Sequence, residues 1–186
     1  MKSVYVVGGD PAVIEMFRGM GWGPSPLVWD ADLVCFTGGE DVSPELYGQQ
    51  NTGQSYTNPR RDEREVEIYN AFLGHRPFVG ICRGGQFLNV MNGGTMIQHI
   101  GPFSGDTVCL DTDGHAHVVR VDHHQGIVRD REKSYSILAK DIGEPLGLTY
   151  ACFYPITRSL CFQPHPEWGH EGTRKLFFQL IEEYIT

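Results

Sequence analysis

Cys82 has the sequence surroundings of a nucleophile. It stands where an apolar run, Phe78–Ile81, meets a segment of helical spacing, with Gly80 and Gly84 two residues to either side. A sharp strand-to-helix turn presses its flanking residues together, and a Cβ at either glycine would collide there. We therefore predict that Cys82 lies at the apex of such a turn. The same pattern also fits a tight turn whose cysteine has no chemistry.

A helix beginning just after Cys82 would favour a reactive thiolate. A free thiol titrates at about pH 8.5, and the partial positive charge of a helix N-terminus stabilises its ionised form. The first N–H groups of a helix lack an intrahelical partner, so the N–H of Arg83 is available to an oxyanion formed beside the sulfur. The remaining cysteines lie inside apolar triplets and are expected to be buried and inert: Cys35, Cys109, Cys152 and Cys161.

A second motif, Pro164-His165-Pro166-Glu167, offers a general base. Pro166 restrains His165 to extended geometry, in which residues two apart share a face. The Glu167 carboxylate can then hold one ring nitrogen while the other accepts the thiol proton. Alone, this segment also fits a proline-stiffened surface turn. Together with Cys82, it favours a Cys-His-Glu site.

Neither a metal nor an organic cofactor is expected. Two histidine pairs could contribute ligands, but no cysteine or carboxylate stands nearby in a recognised ligand spacing. The pairs are His115 with His117 and His123 with His124. Gly8 and Gly9, after the first apolar run, lack the complete dinucleotide-binding motif and the lysine of a nucleotide-binding loop. We interpret the histidines of both pairs as strand and loop residues or as the lining of a substrate pocket.

The segments that must position these residues alternate between strands and helices in the first half of the chain. Continuous apolar strands followed by helices indicate a parallel sheet covered on both faces. In the second half, short β-like runs without long helices between them indicate antiparallel additions. The predicted strands are Val4–Val7, Leu33–Phe36, Phe78–Ile81, Ala116–Val121, Tyr135–Leu138, Leu148–Phe153 and Ser159–Phe162. The predicted helices are Pro11–Met20, Asp62–Leu73, Gln86–Met91 and Glu171–Tyr184.

The composition limits the classes of protein to consider. A chain of 186 residues is expected to form one domain, residues 1–186. A net charge of −8 argues against non-specific nucleic-acid binding. No apolar run approaches the roughly 18–20 residues that cross a bilayer, and the first apolar run is too short for a signal peptide. Five cysteines without close-spaced pairs do not indicate a disulfide framework, so we expect a cytoplasmic protein.

Motifs in order along nearly the whole chain carry a resemblance to a known family. The motifs are Leu33–Gly39, Asp41–Gly48, Arg61–Glu65, Arg76–Gly84, His123–Gln125 and Gln163–Trp168. Together they resemble the class I glutamine amidotransferase superfamily, and within it the gamma-glutamyl hydrolase-like branch, which includes gamma-glutamyl-GABA hydrolases. The terminal His-Pro-Glu and the cysteine turn are the most specific of them.

The resemblance implies a fold and a set of roles. The fold is a flavodoxin-like three-layer α/β sandwich, with a mostly parallel central sheet and antiparallel additions in the C-terminal half. Cys82 would be the nucleophile, His165 the base and Glu167 its orienting carboxylate. The N–H groups of Gly39 and Arg83 would form the oxyanion hole. The positions implied to contact substrate are Gln86, His124 and Gln125.

The implied activity is cysteine-dependent hydrolysis of a gamma-glutamyl amide through a glutamyl thioester, without a cofactor. The Asp41–Gly48 stretch is typical of the hydrolase branch and favours a stand-alone enzyme acting on gamma-glutamyl-amines. The chain length is closer to that of free-standing glutaminase subunits and favours an ammonia-accepting synthase as partner. A non-enzymatic module on this scaffold would lack the Cys, His or Glu, and all three are present. The remaining expectations are no nucleic-acid or membrane partner, and a monomer or homodimer.

Overall fold

A single mixed sheet positions the segments that carry the predicted site. The computed structural model describes residues 1–139 and 148–186. Within them the strands are β1 (Ser3–Val6), β2 (Gly23–Pro24), β3 (Leu33–Phe36), β4 (Phe78–Ile81), β5 (Thr95–Ile97), β6 (Phe103–Asp111), β7 (Ala116–His123), β8 (Gly126–Val128), β9 (Tyr135–Ala139), β10 (Thr149–Tyr154) and β11 (Ser159–Phe162). The α-helices are α1 (Pro11–Gly19), α2 (Pro59–Phe72), α3 (Arg83–Met91) and α4 (Glu171–Tyr184), and short 3-10 turns span Val28–Asp30, Pro44–Tyr47 and Pro166–Trp168.

The strand order is β2-β1-β3-β4-β11-β10-β9-β6-β7, with β5 paired to β8 and β8 to β10. The strands from β2 to β11 in this order are parallel to their neighbours. Those beyond β11 are antiparallel. The predicted parallel sheet with antiparallel additions is therefore confirmed. Because β3, β4 and β11 are adjacent and parallel, the residues that follow them meet at one edge of the sheet, where open α/β sheets bind ligands.

Both faces of the central strands are covered, which explains their continuous apolar sequences. Every residue of β3, β4 and β11 is buried. One face packs against α1 and α4 through residues such as Phe17 and Phe177. The other face packs against α2 and α3 through residues such as Tyr69 and Phe87. The result is the expected three-layer arrangement of helices, sheet and helices.

Two predicted helices begin earlier than expected. The α2 helix starts at Pro59 rather than Asp62, because the Asn58 side chain accepts the N–H of Arg61 and a proline occupies the first helical position. The α3 helix starts at Arg83 rather than Gln86, so it begins directly after Cys82. By contrast, β3, β4, β11 and α4 have the predicted bounds.

The long strand β6 was not predicted. It pairs along its length with β7 as a hairpin, and its alternate residues face solvent. Polar residues and a glycine fill much of that exposed strand, which hides the apolar run by which the central strands are recognised. The short strands β2, β5 and β8 were also not predicted. Within residues 1–139 and 148–186, no helix combines the length and the apolar character needed to cross a lipid bilayer.

Candidate active site

Cys82 occupies a strained turn between β4 and α3. Its backbone has φ 50° and ψ −112°, in the region that side chains other than glycine rarely adopt. A Cβ added to Gly80 would overlap the Gly84 carbonyl, and one added to Gly84 would overlap the Phe36 carbonyl of β3. The predicted steric need for both glycines is confirmed. Strand, turn and neighbouring strand are pressed together, and this close approach holds the cysteine in its unusual conformation.

The sulfur of Cys82 lies in a nearly closed environment. The residue is 7% exposed, and its N–H donates to the Phe162 carbonyl of β11 over 2.7 Å. The Asp122 carbonyl, near the end of β7, lies 3.6 Å from Sγ. The Gln163 amide nitrogen lies 3.5 Å from Sγ and donates to it. The thiol is thus held by polar groups from β7 and from the segment after β11.

His165 and Glu167 form the predicted pair. The His165 Nδ1 and the Glu167 Oε1 are 2.6 Å apart, and both side chains are 7% exposed. The His165 N–H donates to the Arg120 carbonyl of β7, which anchors the segment. The Trp168 ring stacks on the imidazole at a centroid distance of 3.9 Å and an interplanar angle of 12°. This stack was not predicted from the sequence, because a single tryptophan beside the motif gives no sign of which ring it will cover.

The Cys82 and His165 side chains both border Gly38, in the turn that follows β3. A Cβ built on Gly38 would lie 3.3 Å from the His165 Cε1 and 3.8 Å from the Cys82 Cβ. The His165 Nε2 is buried and has no hydrogen bond of normal geometry to any residue that the structure describes. Burial lowers the pKa of His165, but its interactions with Cys82 and Glu167 outweigh burial and raise that pKa to about 10. The imidazolium is therefore the stable form of His165 at neutral pH.

Two backbone N–H groups are expected to meet an oxyanion, those of Gly39 and Arg83. Gly39 follows Gly38 and has a φ of 138°, and Arg83 is the first residue of α3. Neither N–H has a hydrogen-bond acceptor among residues 1–139 and 148–186. Both are therefore available to a ligand oxygen.

The Arg83 side chain has a role that the sequence did not reveal. It is 2% exposed and forms ion pairs with Asp62 and Glu65 of α2. Burial and the charge of Arg61 lower the pKa of Arg83 to about 10, against the opposing effect of Asp62. The guanidinium therefore ties the start of α3 to α2.

Gln86 is brought close to Cys82, although through another residue. Its Nε2 donates to the Gln163 Oε1 over 3.1 Å, and both amides are buried. Gln163 in turn donates to the Cys82 sulfur. Gln163 begins the motif that contains His-Pro-Glu, and its contact with the sulfur could not be foreseen from that motif.

The other two predicted substrate positions lie on the β7–β8 connection. The His124 Nε2 is 3.0 Å from the Asp41 Oδ2, and Asp41 belongs to the loop that follows Gly39. Gln125 is buried and donates to the Ser55 hydroxyl, while its Oε1 is buried without a partner in the described residues. Neither His124 nor Gln125 forms a hydrogen bond with Cys82 or His165 in the described part of the chain.

A carboxylate does stand near one of the histidine pairs, which corrects the sequence argument. The β6–β7 turn brings Asp111 to 2.9 Å from the His117 Nε2 and 3.3 Å from the His115 Nδ1. Asp111, Asp113 and His115 could offer ligand atoms within 4.8 Å of one another. This exposed cluster is separated from Asp122 by most of β7, a length of roughly 20 Å. We assign it no metal, and the arrangement at Cys82 needs none.

Comparison with known proteins places the chain in a family. Residues 1–141 match the family described as Peptidase C26, a range that contains Cys82 and ends before His165. The chain belongs to the Peptidase C26 family. A similar protein is the putative glutamine amidotransferase-like protein YvdE of Lactococcus lactis. It is 30% identical over 173 residues, which cover 81% of this chain and 72% of YvdE.

The fold of this Peptidase C26 protein is shared with solved structures of glutamine amidotransferases. A protein of Thermoplasma acidophilum described as a GMP synthase subunit matches with a TM-score of 0.73 and 16% identity, over 98% of this chain and 93% of that one. A glutamine amidotransferase of Thermotoga maritima matches with a TM-score of 0.67 and 15% identity, over 98% and 83%. These similarities confirm the predicted flavodoxin-like architecture.

Proposed function

We propose that this Peptidase C26 protein hydrolyses a gamma-glutamyl amide bond through a glutamyl thioester on Cys82. The proposal rests on one arrangement. Cys82, in its strained turn, and the buried His165 both lie beside Gly38, and the Glu167 carboxylate orients the His165 ring. Nucleophilic catalysis by cysteine uses a base of this kind, close to the sulfur and oriented by a third group. The roles of Cys82, His165 and Glu167 are those of nucleophile, acid–base and orienting carboxylate.

In the first half-reaction the Cys82 thiolate attacks the amide carbonyl carbon, and the carbonyl π electrons move to its oxygen. The N–H groups of Gly39 and Arg83 donate to this oxyanion; removing one such donor lowers kcat by about 10²–10³ in a comparable site. The adduct then collapses, the C–N bond breaks, and the His165 imidazolium protonates the departing nitrogen. A His165 pKa of about 10 keeps that proton in place at neutral pH.

In the second half-reaction water attacks the thioester carbonyl while neutral His165 takes a proton from it. The C–S bond breaks, glutamate leaves, and the thiolate–imidazolium pair is restored. Throughout, the Glu167 carboxylate accepts the Nδ1–H of His165, which leaves Nε2 for the proton transfers. All these steps are carried by the chain itself, and none of them calls for a metal or organic cofactor.

Two observations support gamma-glutamyl amides as the substrate class. A relative covering most of this chain is named a glutamine amidotransferase-like protein. The Asp41–Gly48 stretch, typical of gamma-glutamyl hydrolases, begins two residues after Gly39 and contacts His124. We propose that His124, Gln125 and the part of Gln86 not bonded to Gln163 contact the glutamyl group.

All five cysteines are free thiols, which supports a reducing compartment such as the cytoplasm.

A second candidate is the glutaminase component of an amidotransferase, which would pass ammonia to a synthase. The observation that favours it is the match over nearly the full length of a protein described as a GMP synthase subunit. The thioester chemistry would be the same, with ammonia as the leaving group.

The test is glutamate release by the purified protein from glutamine and from a panel of gamma-glutamyl-amines, beside Cys82→Ala. Cys109→Ala, which removes a buried thiol from the β6–β7 hairpin, is the matched control. Cys82-dependent turnover of a substituted amide well above glutamine supports the hydrolase. No turnover, with Cys82 still readily alkylated, supports the glutaminase component. Full activity in Cys82→Ala would exclude both.

A further inference from the structure

Arg61, on the first turn of α2, donates hydrogen bonds to the backbone of the loop after β3. Its Nη2 lies 2.9 Å from the Gly38 carbonyl and 3.0 Å from the Thr37 carbonyl, and donates to both. A Cβ added to Gly39 would overlap the guanidinium group itself. The arginine is therefore packed directly against the loop as well as hydrogen-bonded to it.

This contact fixes the direction of the Gly39 N–H. In a planar trans peptide, the carbonyl of one residue and the N–H of the next point in opposite directions. Since the Gly38 carbonyl points to Arg61, the Gly39 N–H points away from Arg61. Gly38 also borders Cys82 and His165 at the position a Cβ would take. The loop thus contacts Arg61 through its carbonyls and the Cys82–His165 pair through Gly38.

One buried carboxylate links Arg61 to the second oxyanion donor. The Glu65 Oε1 accepts from the Arg61 Nε over 2.8 Å, and its Oε2 pairs with the Arg83 guanidinium. The Glu65 side chain is 2% exposed. The Arg83 Nε donates to the Glu40 carbonyl over 3.2 Å, and the Glu40 carboxylate accepts from the Arg61 Nη1 over 2.9 Å. Arg61, Glu65, Arg83 and Glu40 thus form a closed ring of contacts that includes the Glu40 backbone carbonyl.

From this geometry we infer that Arg61 is a positioning residue: it holds the Gly39 N–H in its oxyanion-binding orientation, with Glu65 coupling it to the Arg83 N–H. The inference rests on the proposed function, since it concerns the same oxyanion hole. It assigns the Arg61–Glu65 motif of α2 a task that the catalytic residues do not perform. Without the arginine, the Gly38–Gly39 peptide is free to rotate and turn its carbonyl toward the site.

Two reactions of the Cys82 thiolate distinguish this role from a general structural one. Alkylation by iodoacetamide is a displacement at a saturated carbon and forms no oxyanion. Acylation by p-nitrophenyl acetate passes through a tetrahedral oxyanion and releases p-nitrophenolate. The ratio of the Cys82-dependent acylation rate to the alkylation rate therefore reports on the oxyanion hole. This ratio depends neither on the natural substrate nor on a partner protein.

The experiment compares wild type with Arg61→Met, and uses the exposed neighbour Arg60→Met as the matched control. We expect Arg61→Met to lower the acylation rate about 100-fold, the effect of losing one oxyanion donor. Its alkylation rate should stay within a factor of about three of wild type, because the thiolate and His165 are untouched. Arg60→Met should change neither rate.

An unchanged ratio in Arg61→Met would overturn the inference, whether both rates fall together or neither falls. If Arg61→Met does not fold, as judged by circular dichroism, Arg61→Lys provides the same test. Lysine keeps the charge beside Glu65 but lacks the planar fork that reaches two carbonyls, so its ratio should also fall. Failure of the proposed function is a separate result: wild type would then release no glutamate, while the ratio in Arg61→Met could still fall.

Discussion

Replacing Glu167 by glutamine removes the charge that holds the proton on His165. In the wild-type protein the carboxylate lies 2.6 Å from Nδ1, with both side chains almost fully buried. The pKa of His165 is lowered by burial and raised by its interactions with Cys82 and Glu167, with a net value of about 10. Because this pKa is raised, the imidazolium persists through neutral pH and is lost as the pH rises through about 10. Activity that needs the imidazolium should have the same alkaline limit.

The size of the effect follows from the hydrogen bond that is changed. A hydrogen bond to a charged group contributes about 1.5–3 kcal/mol and a neutral one about 0.5–1.5 kcal/mol, so the exchange destabilises the imidazolium by about 1–2 kcal/mol. One pKa step corresponds to about 1.4 kcal/mol, so the pKa of His165 should fall from about 10 to about 9. At pH 7 either pKa leaves His165 protonated, so the loss in kcat/KM should appear mainly above about pH 9.

The assay is the pH profile of kcat/KM for a gamma-glutamyl amide. The alkaline limb should lie near pH 10 in wild type and about one pH step lower in Glu167→Gln. Glu183→Gln, an exposed glutamate on α4, is the control and should leave the profile unchanged. An alkaline limb that does not move in Glu167→Gln, or that moves to higher pH, would refute the assignment of the limb to the His165–Glu167 pair.

Two further predictions concern the cysteine turn. Cys82→Ala should reduce glutamate release to background while its thermal unfolding temperature stays near wild type, because only a small side chain at a nearly closed site is removed; retained activity would contradict this. Gly80→Ala should lower the free energy of unfolding in urea by about 3 kcal/mol or more, since the new Cβ overlaps the Gly84 backbone, which cannot yield as a side chain would. Gly19→Ala, on α1 with open space around it, should be neutral or slightly stabilising, and equal losses in the two glycine variants would contradict the packing argument.

The sequence predicts those strands and helices whose residues are buried in the same way along the whole segment. The strands Phe78–Ile81 and Ser159–Phe162 are buried on both faces, so all their residues except Ser159 lack polar side chains, and their ends are sharp. The strand Phe103–Asp111 is half exposed, and its polar outward residues resemble a loop. The start of α2 was missed by three residues, although Asn58 followed by Pro59 is a readable capping signal.

The candidate site also has a part that the sequence predicts and a part that it does not. Cys82 and His165 stand in local patterns of glycine and proline, whose backbone effects are legible from a few neighbouring residues. The contact between Gln86 and Gln163 joins positions 77 residues apart and exists only after β4 and β11 pair. The Arg83 ion pairs likewise depend on how α2 docks beside α3. Contacts between residues far apart in the chain cannot be predicted from the spacing of residues in the sequence.

The proposed glutamyl thioester is tested most directly by partitioning with hydroxylamine. Two gamma-glutamyl substrates with different leaving amines are hydrolysed at one fixed hydroxylamine concentration, and glutamate and gamma-glutamyl hydroxamate are measured. If both substrates pass through the same thioester on Cys82, the ratio of hydroxamate to glutamate must be identical, because the leaving amine has departed before the choice is made. A ratio that changes with the leaving amine, or turnover without any hydroxamate, would contradict a covalent intermediate.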